Sequence, residues 1–258
     1  MLREEGAGEV ALVSIEHGIP AVDPGADRVV LASGDGGVGP AAERAGDAGV
    51  PLAVIPSGTA NDFARRMRLP ADPREAARLA VRGEHRRRLD LARMGDRPFV
   101  NVATAGLSVD AARRASPLKR VLGPFAYLVG AGVTAVAGRP LRCAVDVDDR
   151  RVFQGKAWQV MVACSGAFGA GSVVDDAQPD DGLLDLVVIQ AGRRLRLVQH
   201  AHGLREGGIT DQPGVLSTRG SSVALGLPDG AQLNVDGEVL PARSPVTIAP
   251  GHFEVVIP

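Results

Sequence analysis

One stretch limits the folds open to this chain more than any other. Leu52-Ala53-Val54-Ile55 is a short apolar run and predicts a buried strand. Pro56-Ser57-Gly58-Thr59-Ala60-Asn61-Asp62 follows without a break and leads into Phe63-Ala64-Arg65-Arg66-Met67, which predicts a helix. Strand, small-residue turn and helix in that order is how an α/β domain aims backbone N–H groups at a phosphate. Thr59 adds a hydroxyl, and Asn61 or Asp62 can cap the helix. An ordinary capped strand-to-helix connection would share these residues, so a second turn matters. Val29-Val30-Leu31-Ala32 predicts another buried strand, and Ser33-Gly34-Asp35-Gly36-Gly37-Val38-Gly39 follows at once. Two glycine turns, each closing an apolar strand, place two loops on one edge of a parallel sheet, where ligands bind in open α/β folds.

Composition narrows the classes further. A chain of 258 residues holds one large domain or two small ones, and 45% hydrophobic content is ample for a core. With only 3% aromatic residues, that core is built of Ala, Val and Leu. A net charge of −1 gives no general attraction to nucleic acid or to an anionic membrane. Trp158 and Tyr127 are single residues of their kind, which argues against a stacking platform for bases and reads as core. Cys143 and Cys164 lie in apparent strands, so buried thiols and a reducing cytoplasm are expected. No Cys or His spacing suits a metal, and His200 and His202 read as surface residues of a helix. The apolar stretch from Val121 to Ala137 is too short and glycine-rich to span a bilayer, and no signal-peptide pattern opens the chain.

In chain order, Val10 to Ile15 is a candidate strand, and Pro40 to Ala45 a short helix with Pro at an early position. Gly34-x-Gly36-x-x-Gly39 formally matches a dinucleotide fingerprint. The acidic residue expected about 20 positions on is not on a second strand, so a dinucleotide enzyme is the weakest reading. Asp72, Pro73 and Glu75 open a capped helix that ends at Gly83. His85-Arg86-Arg87-Arg88 reads as the solvated start of the strand Leu89–Ala92, with Asp90 a candidate for the cleft. Beyond it the pattern turns to β. A Gly95-Asp96-Arg97-Pro98 turn leads to Phe99–Ala103, and Leu141–Val147 joins Val152–Ala163 at Asp148-Asp149-Arg150. A glycine-rich loop from Ser165 precedes an acidic stretch, Asp175 to Asp185, whose carboxylates suit a hard cation such as Mg²⁺ or a solvated turn. Arg193 to Leu204 reads as a helix. Ser222–Leu227 and Gln232–Val235 read as a hairpin through Pro228-Asp229-Gly230, followed by Asp236-Gly237-Glu238. Two carboxylates two residues apart on a strand share a face unless the glycine bends the chain.

Four of these segments, in this order, resemble the diacylglycerol kinase-like lipid kinases, which include bacterial diacylglycerol kinases and sphingosine kinases. Pro56-Ser57-Gly58-Thr59-Ala60-Asn61-Asp62-Phe63-Ala64 matches the family's second loop completely. Ser33-Gly34-Asp35-Gly36-Gly37 matches the first, usually Gly-Gly-Asp-Gly-Thr, except that Ser33 replaces a glycine and Gly37 the threonine. Asp181-Gly182-Leu183-Leu184-Asp185 and Asp236-Gly237-Glu238 match the later motifs, and Gly123-Pro124-Phe125-Ala126-Tyr127-Leu128 matches a recurrent helix start. The family's opening strand, Asn-Pro-x-x-Gly turn and helix are not recognisable in residues 1 to 28. By this resemblance the chain either starts late or has diverged there.

The resemblance implies an α/β fold of two domains. Residues 1–94 would form a Rossmann-like nucleotide-binding domain with an incomplete N-terminus. Residues 95–258 would form a β-rich, β-sandwich domain whose last strands return to the first. The implied activity is ATP-dependent phosphorylation of a lipid hydroxyl at a membrane surface, diacylglycerol or a related lipid, with Glu238 as general base and Asp236 and Asp35 beside it. Ser33, Gly34, Asp35, Gly36, Gly37, Gly58, Thr59, Asn61 and Asp62 would bind ATP. Asp35 would help hold a catalytic Mg²⁺, and Asp181, the Leu183 carbonyl and Gln178 a structural one. A cytoplasmic protein, peripheral at the membrane and open to homodimerisation, fits that reading. The unrecognisable N-terminal strand and turn, Gly37 in place of threonine, and Gly39-Pro40 where the family commonly has Asn-Glu support a competing reading, a pseudo-kinase or binding protein on the same fold.

Overall fold

The computed structural model describes residues 1–15, 18–115, 138–169, 171–174 and 177–258, the side chains of 114 and 115 excepted. The expected helix start at Gly123–Leu128, Tyr127 and Asp175 lie outside the described residues. The first unit is built from β1 (Val29–Ser33), α1 (Asp35–Ala48), β2 (Leu52–Pro56), α2 (Asp62–Arg66), α3 (Pro73–Arg82), β3 (Arg86–Met94) and β4 (Arg97–Phe99). β1 and β2 pair in parallel from Val29 opposite Leu52 to Ser33 opposite Pro56, so both glycine turns leave the same sheet edge. α1 buries Val38, Ala41, Ala42 and Ala45, spacings of three and four that form one helix face. That face packs with Leu31, Leu52, Val54, Phe63, Leu89 and Leu91. Val10–Ile15 forms no strand: Leu12 is 95% exposed, and the stretch has no strand to pair with among the described residues.

The second unit contains β5 (Val102–Gly106), α4 (Leu107–Ala115), β6 (Leu141–Val147), β7 (Arg150–Ala163), the short pair β8 (Ala167–Phe168) and β9 (Ser172–Val173), and β10 (Leu184–Gln190). It continues with α5 (Arg196–Glu206), β11 (Val215–Gly220), β12 (Ser222–Gly226), β13 (Gln232–Val235), β14 (Glu238–Pro241) and β15 (Val246–Val256). β7 gives its first half to β6, and its second half to β5 on one side and β10 on the other. One strand therefore takes part in both layers of a sandwich-like body, whose core holds Val145, Val160, Val162, Leu184, Leu186, Leu225 and Leu233. The expected β12–β13 hairpin does not form. β15 and β6 occupy the two edges of β12, and β13 pairs instead with β5 and β14.

β15 joins the two units. Val246 lies in the sandwich core, whereas Phe253 and Val255 lie in the core under α1. The strand runs antiparallel to β3 and meets β2 in parallel at Val255 opposite Leu52. Asp90 does not face a cleft. It is 3% exposed and accepts from the Gly182 and Gly251 N–H groups, both at 2.7 Å, fastening two distant loops to β3. His200 is also buried rather than on the surface, with Nδ1 2.7 Å from Gln212 Oε1. The two cysteines are free and buried.

Gly39 sets how closely α1 approaches β4. A Cβ there would stand 2.5 Å from the Pro98 carbonyl oxygen and 2.8 Å from Phe99 Cα, both backbone atoms that cannot rotate away. Gly39→Ala is expected to lower stability by about 1–3 kcal/mol, overpacking outweighing alanine's better helix propensity. Urea unfolding of the purified variant checks it.

Candidate active site

The two glycine turns touch. A Cβ on Gly58 would lie 2.6 Å from Gly34 Cα, and one on Gly34 would lie 3.0 Å from Gly58 Cα. Only glycine at both positions lets the loops meet, and the Ser57 N–H donates to the Ser33 carbonyl at 3.0 Å just below.

The first turn is not an open loop. Helix α1 begins at Asp35, so Asp35, Gly36 and Gly37 are its first residues and Gly34 its N-cap, with no side chain capping it. The helix therefore presents N–H groups of its first turn beside the second loop, at the positive end of a 14-residue dipole. Asp35 reaches across and accepts from the Phe63 N–H at 2.9 Å, capping α2 from outside. That displaces the cap expected from Asn61 or Asp62. Asn61 adopts a left-handed conformation and makes a ring with Gly58, accepting its N–H and donating to its carbonyl, both at 2.9 Å. The Gly58 N–H, expected to cradle a phosphate, is thus already used. Asp62 is buried, whereas Ser57, Gly58 and Thr59 are exposed on the rim.

Asp236 and Glu238 enter from the second unit. β13 and β14 are joined by Asp236 (φ 46°) and Gly237 (φ 91°), a two-residue turn with both residues in the left-handed region. The turn sends the carboxylates apart. Asp236 accepts backbone N–H groups from Val100 at 3.0 Å and from Asn101 and Val102 at 3.1 Å. Asn101 also donates from Nδ2 to Asp35 Oδ1 at 3.4 Å, linking the two acids. Enclosure away from water pushes the Asp236 carboxyl up to about 7; neighbouring Asp35 adds to the rise, and the three N–H donors oppose it without cancelling it. Glu238, about half exposed, lies against α1: a Cβ on Gly36 would stand 2.5 Å from its Oε1. Arg97 Nη2 donates to Glu238 Oε2 at 2.8 Å and to the Gly36 carbonyl at 3.1 Å.

Two family models divide the chain between them. The diacylglycerol kinase catalytic domain matches residues 13–94, and the YegS C-terminal NAD kinase beta sandwich-like domain matches residues 101–257, more than half of the chain. The chain belongs to the diacylglycerol kinase-like family. It is 32% identical over 189 residues to a diacylglycerol kinase of Staphylococcus saprophyticus, covering 72% of this chain and 61% of that protein. It is also 32% identical over 192 residues to one of Staphylococcus aureus, covering 72% and 59%. The chain thus spans about three-fifths of the length of the curated relatives it matches. A diacylglycerol kinase structure from Bacillus anthracis superposes with a TM-score of 0.72 over 90% of this chain and 78% of that one, at 21% identity.

Within this diacylglycerol kinase-like chain, the later acidic motif does not gather as a metal site. Asp181 Oδ1 accepts from the Leu183 N–H at 3.0 Å, and Oδ2 pairs with Arg219, whose Nε is 2.9 Å from Asp185 Oδ1. A guanidinium already supplies the positive charge, so the donor set does not fit a divalent cation. Gln178 lines a cavity of about 600 Å³ among Arg66, Arg68 and Arg87, not among carboxylates. No group of three or more His, Cys, Asp or Glu side chains suited to a metal gathers among the described residues. The departures at Ser33 and Gly37 are complementary: a Cβ at position 37 would lie 2.4 Å from Ser33 Oγ. Asn101 and Arg97 were not legible as site residues. Nothing in a single sequence marks the partner of a carboxylate 135 or 141 positions away.

The Asp236 carboxyl carbon is expected to titrate near 7 by ¹³C NMR, and Asp35→Asn to lower that midpoint by removing the like charge. Below the ordinary value of 3.8 both states hold the proton; between there and about 7 only the native state does. Asp236 therefore makes stability fall as pH rises through that window.

Proposed function

We propose that this chain transfers the γ-phosphoryl group of ATP to a lipid hydroxyl of the diacylglycerol class. The observation that carries the reading is the position of Glu238, whose carboxylate reaches the first turn of α1. A proton acceptor there stands beside the N-terminal N–H groups that suit phosphate. The uncapped start of α1 would take phosphate oxygens, and the Gly34–Gly58 contact would keep the second loop close over them. Exposed Thr59 would add a hydroxyl from the rim. Ser33 would contribute its hydroxyl in place of a side chain at Gly37. Glu238 would accept the lipid hydroxyl proton as transfer proceeds, while positioning and charge neutralisation carry most of the acceleration.

Mg²⁺ would be held at Asp35 rather than at Asp181. Asp35 is the first residue of α1, beside the phosphate-facing N–H groups, whereas buried Asp236 keeps both oxygens on backbone N–H groups of residues 100–102. An ion entering with the nucleotide would be held by Asp35 and would neutralise charge on the phosphates. The lipid would be met at a membrane surface; among the described residues no helix is long and apolar enough to cross one.

Calorimetric titration with ATP is expected to show saturable binding that strengthens with Mg²⁺. Glu238→Gln is expected to leave that binding within about threefold and lower kcat on diacylglycerol in mixed micelles by about 10²–10⁴-fold. Absence of ATP binding in a folded sample would favour the pseudo-kinase reading. Retained kcat in Glu238→Gln would remove the general base.

A further inference from the structure

We infer that Arg97 is the positioning residue for Glu238, and that Pro40 is what makes its anchor available. The inference rests on the assignment of Glu238 as the base. Pro40 lies inside α1 and has no N–H, so the carbonyl four residues earlier, Gly36, loses its helical partner. Arg97, the first residue of β4, takes that place from another strand. Its Nη2 carries two protons, one for the Gly36 carbonyl at 3.1 Å and one for Glu238 Oε2 at 2.8 Å. One nitrogen thereby ties the candidate base to the first turn of the phosphate-facing helix.

Three further observations fit a device for placement rather than a surface ion pair. Gly36 leaves the space that the Glu238 carboxylate uses, since a Cβ there would sit 2.5 Å from Oε1 and 3.2 Å from Cδ. Arg97 Nε is buried without a hydrogen-bond partner, a cost the fold carries to keep the guanidinium in this orientation. Glu238 itself is about half exposed and follows a turn of two left-handed residues, so its long side chain has little else to fix it. A base held to a fraction of an ångström differs in rate from one free to sample rotamers, even with identical basicity.

The test is a double-mutant cycle on the whole chain, assayed with ATP and 1,2-dioleoylglycerol in mixed micelles. Arg97→Met is expected to lower kcat by about 10–100-fold and leave the ATP KM within about threefold. In a Glu238→Gln background the same change is expected to alter kcat by less than about twofold, because the group it positions is gone. Arg97→Lys, which keeps the charge but not the planar fork, is expected to recover part of the loss, and it replaces Arg97→Met in the cycle if that variant does not fold. A full additional loss in the Glu238→Gln background, or a raised ATP KM with kcat kept, would mean that Arg97 acts on the phosphates directly and would overturn the inference. A second readout needs no turnover. The ¹⁵Nη signals of Arg97 are expected to be resolved in the wild type and averaged in Glu238→Gln. If they are averaged in the wild type too, the positioning contact does not exist. If they are resolved while Glu238→Gln keeps full activity, the contact stands and the assignment of the base is what fails.

Discussion

Everything proposed for this molecule depends on two α-carbons in contact. Gly34 and Gly58 close the first two strands, and the parallel register places them side by side. Because neither carries a side chain, the two turns pack as one body, and Asp35 can reach from the start of one helix to cap the next. Asn61 then stiffens the second turn from within. A methyl group on either glycine would separate the loops, remove the cap and open the surface that the phosphate reading requires.

The second layer of organisation is the return of the last strand. β15 contributes Val246 to one core and Phe253 and Val255 to the other. The units are therefore covalently linked at the β4–β5 connection and joined again by sheet pairing at the chain's end. Asp90 adds a polar fastening across the same seam. Such a double attachment fixes the Asp236 turn relative to α1. Without it, a carboxylate on a hairpin of the sandwich could not stand within reach of a helix in the first unit. The three N–H groups on Asp236 complete the alignment by holding the base of that turn against residues 100–102.

Much of this was legible from sequence. The strand–turn–helix units, the α/β class and the β-rich remainder follow from hydrophobic pattern and turn chemistry, which act over a few residues. The family motifs name Asp35, Asp236 and Glu238 as candidates, and the structure links Asp236 to Asp35 through Asn101 and sets Glu238 against the first turn of α1. What escaped was the traffic of hydrogen bonds between distant segments. For Gly58 the missed partner is local: Asn61, three residues on, takes its N–H through a left-handed backbone that residue type alone does not reveal. Asp181 suggests a metal ligand because its ion-pair partner Arg219 lies 38 residues on. Arg97 was read as part of a turn, and the β12–β13 hairpin was drawn because Pro-Asp-Gly suits one. For Asp181, Arg97 and the hairpin, tertiary pairing overrode a sound local signal.

The pairing of Ser33 with Gly37 has a consequence for how such a loop can change. A threonine introduced at 37 would drive its Cβ into Ser33 Oγ, so the helix residue cannot be enlarged while the strand residue keeps its side chain. Removing the Ser33 side chain first leaves a void and no hydroxyl at either place. The passable route between the two arrangements runs through a loop with glycine at both positions, the least furnished of the three. Positions 33 and 37 are thus coupled by volume in this chain: the space between them takes one side chain, and what can stand at either depends on the other.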